Sequence, residues 1–287
     1  MKILTDILKS TDLIRTSGDM DIAIGKLCFD SRKVEKGDVF VALKGTQSDG
    51  HSFIGAVIRK GAGIVVCEEW PVIKGNQCTI VQVLNTHETL ARMASEYYDR
   101  PSEKLRLVDV TGTNGKTTIA SLLYQLFTNL GYKCGLLSTI NNRVAEKTAE
   151  ATHTTPDPLQ INALLAEMVE AGCEYAFMEV SSHAAHQRRI GGLKFTGGIF
   201  TNLTHDHLDY HKDFREYLMA KKLFFDTLPK DAFALVNTDD KNSRVMVQNC
   251  KAKVYGYSVK SMSDFKGKVS ESHLEGNLLQ IGHKEMW

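Results

Sequence analysis

No apolar run in the sequence approaches the ~20 residues that a membrane-spanning helix requires, so no span is expected. The start, Met1-Lys2-Ile3-Leu4-Thr5-Asp6, carries a charge inside any apolar core and no cleavage-like site, so no signal peptide is evident. Charge of one sign is also missing. A formal net charge of +1 argues against a nucleic-acid platform, which needs a basic excess. No Cys-x-x-Cys pair occurs among the six cysteines, Cys28, Cys67, Cys78, Cys134, Cys173 and Cys250. Thiols this far apart suit neither a zinc site nor a disulfide framework, and a reducing cytoplasm fits them best. Internal repeats and low-complexity tracts are absent as well.

What remains is an ordinary globular composition, 43% hydrophobic and 24% charged over 287 residues, enough for two domains. The first hundred residues read as a small mixed α/β domain. Strand-like runs are Val39–Leu43, Ile64–Cys67 and Thr79–Val83, and Phe53, Ile54, Val57 and Ile58 have helical spacing. A second helix follows Thr86, the expected N-cap, and Arg100-Pro101-Ser102 stops it. Domains are therefore expected at 1–103 and 104–287. The second alternates strands (Leu105–Val110, Cys134–Ser138, Ala176–Val180, Gly198–Phe200, Phe233–Val236) with helices near Leu159–Ala171, Phe214–Asp226 and Asn242–Cys250. That alternation predicts a mostly parallel sheet covered by helices. Ending at Trp287 without a closing helix, this domain reads as truncated.

The strongest chemical signal is Thr111-Gly112-Thr113-Asn114-Gly115-Lys116-Thr117-Thr118, between an apolar strand and a helix with Ile119, Leu122, Leu123, Leu126, Phe127 and Leu130 at i, i+3, i+4 spacing. Glycines let backbone N–H groups at a helix N-terminus surround phosphate oxygens. Lys116 would hold the β/γ phosphates and the Thr117 hydroxyl would ligate Mg²⁺. The spacing is compressed, because position 110 is Val and the first glycine is Gly112. Glu179 ends an apolar strand, where a carboxylate suits a Mg²⁺ bridging ATP phosphates. The cluster His205-Asp206-His207-Leu208-Asp209-Tyr210-His211 fits zinc or Mg²⁺ by residue type alone.

The compressed loop resembles the ATP loop of the Mur ligases and of their relative folylpolyglutamate synthase. Met178-Glu179-Val180-Ser181-Ser182-His183 is similar to the strand end that follows in MurE-type members. Phe200–His211, Tyr217–Phe224 with its lysines, and Asp30-Ser31-Arg32-Lys33-Val34 with Gly37-Asp38-Val39-Phe40 match further segments in order. The resemblance implies ATP contacts at Gly112, Thr113, Asn114, Gly115, Lys116, Thr117 and Thr118. Two Mg²⁺ ions would be held by Thr117, Glu179, His207 and a carbamate formed from CO₂ on Lys221. A free lysine is neutral in only about 1 of 2,500 molecules at pH 7, so carbamylation requires burial or nearby cations. Lys222 reads as a solvated helix lysine.

For the substrate, the resemblance implies Phe29, Ser31, Thr46, Gln47 and Ser48 at the uridine end, and Thr154, Thr155, Ser181, Gln187 and Arg189 at the muramoyl-peptide part. Arg188 competes with Arg189 for the latter role. The implied reaction is ATP-dependent amide ligation, through an acyl phosphate, of a third amino acid (meso-diaminopimelate or L-lysine) onto UDP-N-acetylmuramoyl-L-alanyl-D-glutamate. Catalysis would use Lys116, Glu179, His207 and Lys221. The family's third domain, which binds the incoming amino acid, has no counterpart here, so the chain alone is expected to be inactive. A cytoplasmic monomer without nucleic-acid or membrane partners is expected. The alternatives are a folylpolyglutamate synthase-like ligase, whose family starts almost directly with the ATP domain, and a nucleotide-binding protein without catalysis.

Overall fold

The computed structural model describes residues 2–45, 48–72, 78–151, 154–204, 213–273 and 276–283. It divides into two compact units. The first holds Met1–Pro101 together with Asp157–Ala166 and Gln187–Leu193, and the second holds Ser102–Pro156, Glu167–His186 and Lys194–Trp287. The two insertions into the first unit differ from the continuous 104–287 domain expected from sequence. They have no composition change to mark them.

The first unit contains α1 (Leu4–Ile7), β1 (Leu13–Ser17), β2 (Leu27–Cys28), β3 (Val39–Val41), α2 (Ile54–Arg59), β4 (Ile64–Cys67), β5 (Thr79–Val83) and α3 (Thr86–Tyr97). Its sheet runs β1-β5-β4-β3-β2, parallel except for β1. The continuous apolar run of β4 is buried at every position, as a central parallel strand covered on both faces requires. One face packs Ile64, Val66 and Val81 against Leu4, Leu90 and Met93, and the other packs Val65 and Ile80 against Ile54 and Val57. The N-cap of α3 is Asn85 rather than Thr86. The Asn85 side chain accepts from the Glu88 N–H, while Thr86 donates its N–H and hydroxyl to Glu68 at 2.9 and 3.0 Å.

The second unit comprises β6 (Arg106–Thr111), α4 (Lys116–Asn129), β7 (Cys134–Leu137), β8 (Asn141–Val144), β9 (Lys147–Glu150), most of the remaining helices and strands, and the last turn of α5 (Pro158–Glu170). The elements that follow are β10 (Tyr175–Glu179), α6 (Ser182–His186), β11 (Gly197–Phe200), α7 (Phe214–Thr227), β12 (Phe233–Asn237), α8 (Ser243–Met246), β13 (Lys253–Ser258), β14 (Phe265–His273) and β15 (Gly276–His283). The sheet order is β15-β14-β13-β12-β11-β6-β10-β7-β8-β9, parallel from β14 to β7, with antiparallel hairpins at both edges. Strand β6 is central, so its C-terminal end lies between those of β10 and β11.

Side chains alternate along β6. Val108 and Val110 join the core under α4, with Ala120, Tyr124, Phe177 and Ile199. Asp109 points the other way. Its register partner on β11 is Gly198, where an added Cβ would meet the Phe224 ring of α7 at 2.3 Å. Helix α7 therefore covers the face to which Asp109 belongs. On α4 the helical spacing read from the sequence merges two faces. Ile119, Leu123 and Phe127 pack inward, whereas Leu122, Leu126 and Leu130 are exposed. The helix expected over Asn242–Cys250 is reduced to α8. All six cysteines are free, and no described helix is long and apolar enough to cross a membrane.

Candidate functional site

The loop from β6 to α4 is built from backbone conformations that favour glycine. Gly112 has φ +152° and Gly115, the residue before α4, has φ +84°. A Cβ on Gly112 would lie 1.9 Å from Thr201 Oγ1. Gly112→Ala should therefore lower stability by about 3 kcal/mol and weaken nucleotide binding together. Urea melts and ATP titration check both; an unchanged melt would remove the close-approach argument.

The β11–α7 connection braces this loop. Thr113 N–H donates to the Asn202 carbonyl (2.8 Å) and Asn114 N–H to Asn202 Oδ1 (3.0 Å). Thr201 Oγ1 and Asn202 Nδ2 both donate to the Asn114 carbonyl, at 2.7 and 3.1 Å. The Thr113 hydroxyl accepts from the Thr204 N–H and lies 3.0 Å from the Tyr217 hydroxyl. Lys116 Nζ folds over the loop and donates to the carbonyls of Gly112 (3.0 Å) and Thr113 (2.9 Å). The N-terminus of a fourteen-residue helix, a folded loop and a lysine thus face one spot, the arrangement that favours phosphate oxygens.

Beside it, Glu179 is fully buried at the end of β10. Its carboxylate accepts from Thr117 Oγ1 at 2.9 Å, the Thr139 N–H at 2.9 Å and Thr139 Oγ1 at 3.1 Å. Thr117 and Glu179 present hard oxygen donors, the class that suits Mg²⁺. Among the described residues no three His, Cys, Asp or Glu side chains cluster as a metal site. His207, the third expected ligand, lies outside the described residues.

Lys221 is 2% exposed, on the face of α7 turned to the sheet. Its Nζ donates to the Gly112 carbonyl at 2.9 Å, the same oxygen that receives Lys116, and lies 4.9 Å from the Tyr217 ring centre. Burial, and then the Lys116 charge, push the Lys221 ammonium down to about 7, against the opposing pull of Asp109. Asp109 is fully buried, and both carboxyl oxygens lack a hydrogen-bond partner among the described residues. Burial pushes its carboxyl well above the usual carboxylate range, although the Lys221 charge, the nearby Val180 N–H and the Lys116 charge oppose the shift. Lys222 is buried too, paired with Asp226 at 2.6 Å, which corrects its reading as a solvated lysine. Sequence reasoning passed over Asp109, Thr139, Asn202 and Tyr217. Asn202 and Tyr217 lie inside segments that carry the family resemblance, whereas Asp109 gives no signal beyond being a charge in an apolar strand.

The expected substrate residues fall into both units. In the first, Phe29 packs against the core and Ser48 is exposed, while Thr46 and Gln47 lie outside the described residues. Ser31 lies in a turn fixed by Asp30, whose carboxylate takes the Arg32 backbone N–H (3.0 Å) and guanidinium (2.9 and 2.8 Å). Those bonds hold the Asp30 carboxyl at about 2. The Ser31 carbonyl accepts from Lys60. Gln187 and Arg189 are also grouped with this unit, and Arg189 donates to Gln187 Oε1 at 3.0 and 2.7 Å. Arg188, the competing arginine, pairs with Glu88.

In the second unit the Thr155 hydroxyl is buried, donating to the Glu179 carbonyl (2.9 Å) and accepting from the Ser181 N–H (3.1 Å). The Ser181 hydroxyl accepts from the Ala184 N–H at the start of α6. Thr154 is half-buried. A cavity of ≈620 Å³ lined by Val236, Thr238, Arg244, Val254, Met262 and Asp264 includes none of the loop residues.

Strand β6, the glycine-bearing loop and the Lys116–Thr117 start of α4, set in a parallel sheet, define a phosphate-loop α/β domain. Residues 110–286 match the family described as Mur ligase middle domain, and residues 24–98 the one described as Mur ligase family, catalytic domain. The chain belongs to the Mur ligase family. It is 57% identical over 285 residues to the UDP-N-acetylmuramoyl-L-alanyl-D-glutamate--2,6-diaminopimelate ligase of Cytophaga hutchinsonii, covering 99% of this chain and 59% of that protein. A solved structure of a ligase with that same name superimposes with a TM-score of 0.82 at 26% identity, covering 98% of this chain and 57% of the other. A Mycobacterium tuberculosis folylpolyglutamate synthase complexed with ADP and AMPPCP shares the fold alone, at 18% identity and TM-score 0.50, over 66% of this chain. The chain spans less than two thirds of the length of the curated relative.

Proposed function

We propose that this chain carries the UDP-precursor-binding part and the ATP-binding part of a ligase that adds diaminopimelate to UDP-N-acetylmuramoyl-L-alanyl-D-glutamate. The observation that carries the reading is that, in one unit, the loop lysine Lys116 and the buried Lys221 both donate to the Gly112 carbonyl, while Thr117 at the start of α4 bonds to Glu179. A non-catalytic nucleotide binder would keep the loop, Thr117 included, but need neither Glu179, His207 nor Lys221. The names of the relatives favour diaminopimelate over lysine as the amino acid.

In this reading the loop N–H groups and Lys116 bind the ATP phosphates, and Lys116 neutralises charge as the γ-phosphoryl passes to the terminal carboxylate of the precursor. The acyl phosphate is then attacked by the amine of the incoming amino acid, and phosphate leaves as the amide forms. Bound Mg²⁺ would supply Lewis-acid neutralisation of the phosphoryl oxygens, held by Thr117, Glu179, His207 and the Lys221 carbamate. Lys221 has the burial that carbamylation needs. Its neutral nitrogen lone pair bonds to the carbon of CO₂, a C=O electron pair moves to oxygen, and one N–H proton is released. The substrate's uridine end falls to Phe29, Ser31 and the Thr46-Gln47-Ser48 loop, and its muramoyl-peptide part to Thr154, Thr155, Ser181, Gln187 and Arg189. We place the protein in the cytoplasm as a monomer.

Calorimetric titration with the UDP-dipeptide precursor tests the substrate assignment. The Ser31 hydroxyl makes no hydrogen bond within the described residues and is available to a ligand. Ser31→Ala should weaken precursor binding about tenfold, the size of one lost hydrogen bond, and leave ATP affinity alone. Equal precursor affinity in the two proteins would withdraw Ser31 from the site.

A further inference from the structure

Two side chains on the inner face of α7 and the sheet are left with hydrogen-bonding capacity that the described residues do not fill. Asp109 is fully buried and neither carboxyl oxygen has a partner among the described residues. The nearby Val180 N–H is engaged by the Val110 carbonyl at 3.3 Å. Lys221, 2% exposed, directs Nζ to one acceptor, the Gly112 carbonyl. The two feel each other's charge, yet among the described residues no hydrogen bond joins them. A buried carboxyl without partners costs several kcal/mol, and a strand interior offers many apolar residues that would avoid that cost. The alternation of β6 sends Asp109 to the α7 face, away from the apolar core under α4.

We propose that Asp109 is a positioning residue for Lys221: its orphaned carboxyl is the hydrogen-bond partner of the carbamate on Lys221. The inference rests on the carbamate reading given above. A carbamate extends the lysine head by a planar group with one N–H donor and two oxygen acceptors. Its single N–H stays on the Gly112 carbonyl, which leaves the carbamate oxygens to accept from a carboxylic O–H of Asp109. The Gly112 carbonyl fixes Nζ from the loop side, so Asp109 would fix the added group from the sheet side. Lys221 would thereby be held in one orientation before any nucleotide arrives.

The test measures the modification itself. The 287-residue chain is equilibrated with ¹³C-labelled bicarbonate, and the lysine carbamate is quantified by ¹³C NMR and by alkyl-ester trapping with peptide mass analysis. The wild-type chain should give a signal that Lys221→Met abolishes. Asp109→Ala, and Asp109→Val as a second variant suited to a strand interior, should lower it at least fivefold. Asp109→Asn, which keeps a donor and an acceptor at the same place, should keep most of it. Circular dichroism melts identify which variants are folded, and the comparison is made on those; the Asn variant against wild type alone decides if neither apolar variant folds, a fivefold or greater loss in it counting against the proposal. No wild-type signal would overturn the Lys221 reading and this inference with it. A wild-type signal that persists unchanged in the folded apolar variants would overturn the role of Asp109 alone.

Discussion

Lys116→Ala is expected to reduce ATP affinity at least a hundredfold while leaving affinity for the UDP precursor as it is. The ammonium donates to the carbonyls of Gly112 and Thr113 and is thus held over the loop where phosphate oxygens would lie. Removing it takes away charge-assisted hydrogen bonds to an anionic ligand, a loss of about 3 kcal/mol. The expected uridine-end contacts Phe29 and Ser31 belong to the other unit, so the part of precursor binding that they carry has no reason to change. Lys116 also helps to lower the Lys221 ammonium, so the variant should hold Lys221 protonated to higher pH. Calorimetry with each ligand separates these effects. An ATP affinity within threefold of wild type would end the assignment of this loop to phosphate.

The loop was legible in the sequence because its chemistry is local. Gly112, Gly115, Lys116 and Thr117 are adjacent, and the strand before and helix after follow from short-range apolar spacing. The alternating strands and helices of the second unit were legible for the same reason. Properties set by distant packing were not. The burial of both Lys221 and Lys222 depends on which side of α7 meets the sheet, and neighbouring lysines look alike in a sequence. On α4, Leu122 and Leu126 satisfy helical spacing but sit outside the buried stripe. Thr86 looked like a cap because its hydroxyl can serve as one, yet Asn85 takes that role and Glu68 claims the threonine. The edge hairpin β8–β9 carries no strong alternation and went unseen. Asp109 is the clearest case, since a lone charge in a strand says nothing about whether its partner exists.

Lys221→Ala should separate the binding role of this lysine from its cost to the fold. In Mg²⁺-containing buffer equilibrated with CO₂, ATP affinity should fall about thirtyfold as an anionic oxygen ligand is lost. Formate or acetate added at tens of millimolar, about the level at which a weak small ligand fills a vacated site, should restore part of it. Lys221→Arg should not be rescued, because a guanidinium stays protonated and cannot take up CO₂. Lys222→Ala is no control, since it would strand the buried side of Asp226. Leu223→Ala, 40% exposed on the same helix, serves instead. Stability should move the opposite way. The Lys221 ammonium falls from its ordinary value to about 7 in the folded chain. Between pH 7 and the ordinary value near 10.4 the unfolded chain therefore holds a proton that the folded chain has shed, so wild-type stability rises with pH across that window and is flat in this term below 7. Lys221→Met removes that slope. In CO₂-depleted buffer at pH 7 it should gain about 2 kcal/mol, less than the full cost of burying the charge because Asp109 loses its nearby cation. Urea melts at pH 7 and pH 9.5 measure both the gain and the slope. A Lys221→Met variant no more stable than wild type at pH 7, with ATP affinity unchanged, would remove this buried lysine from both the pH dependence and the nucleotide site.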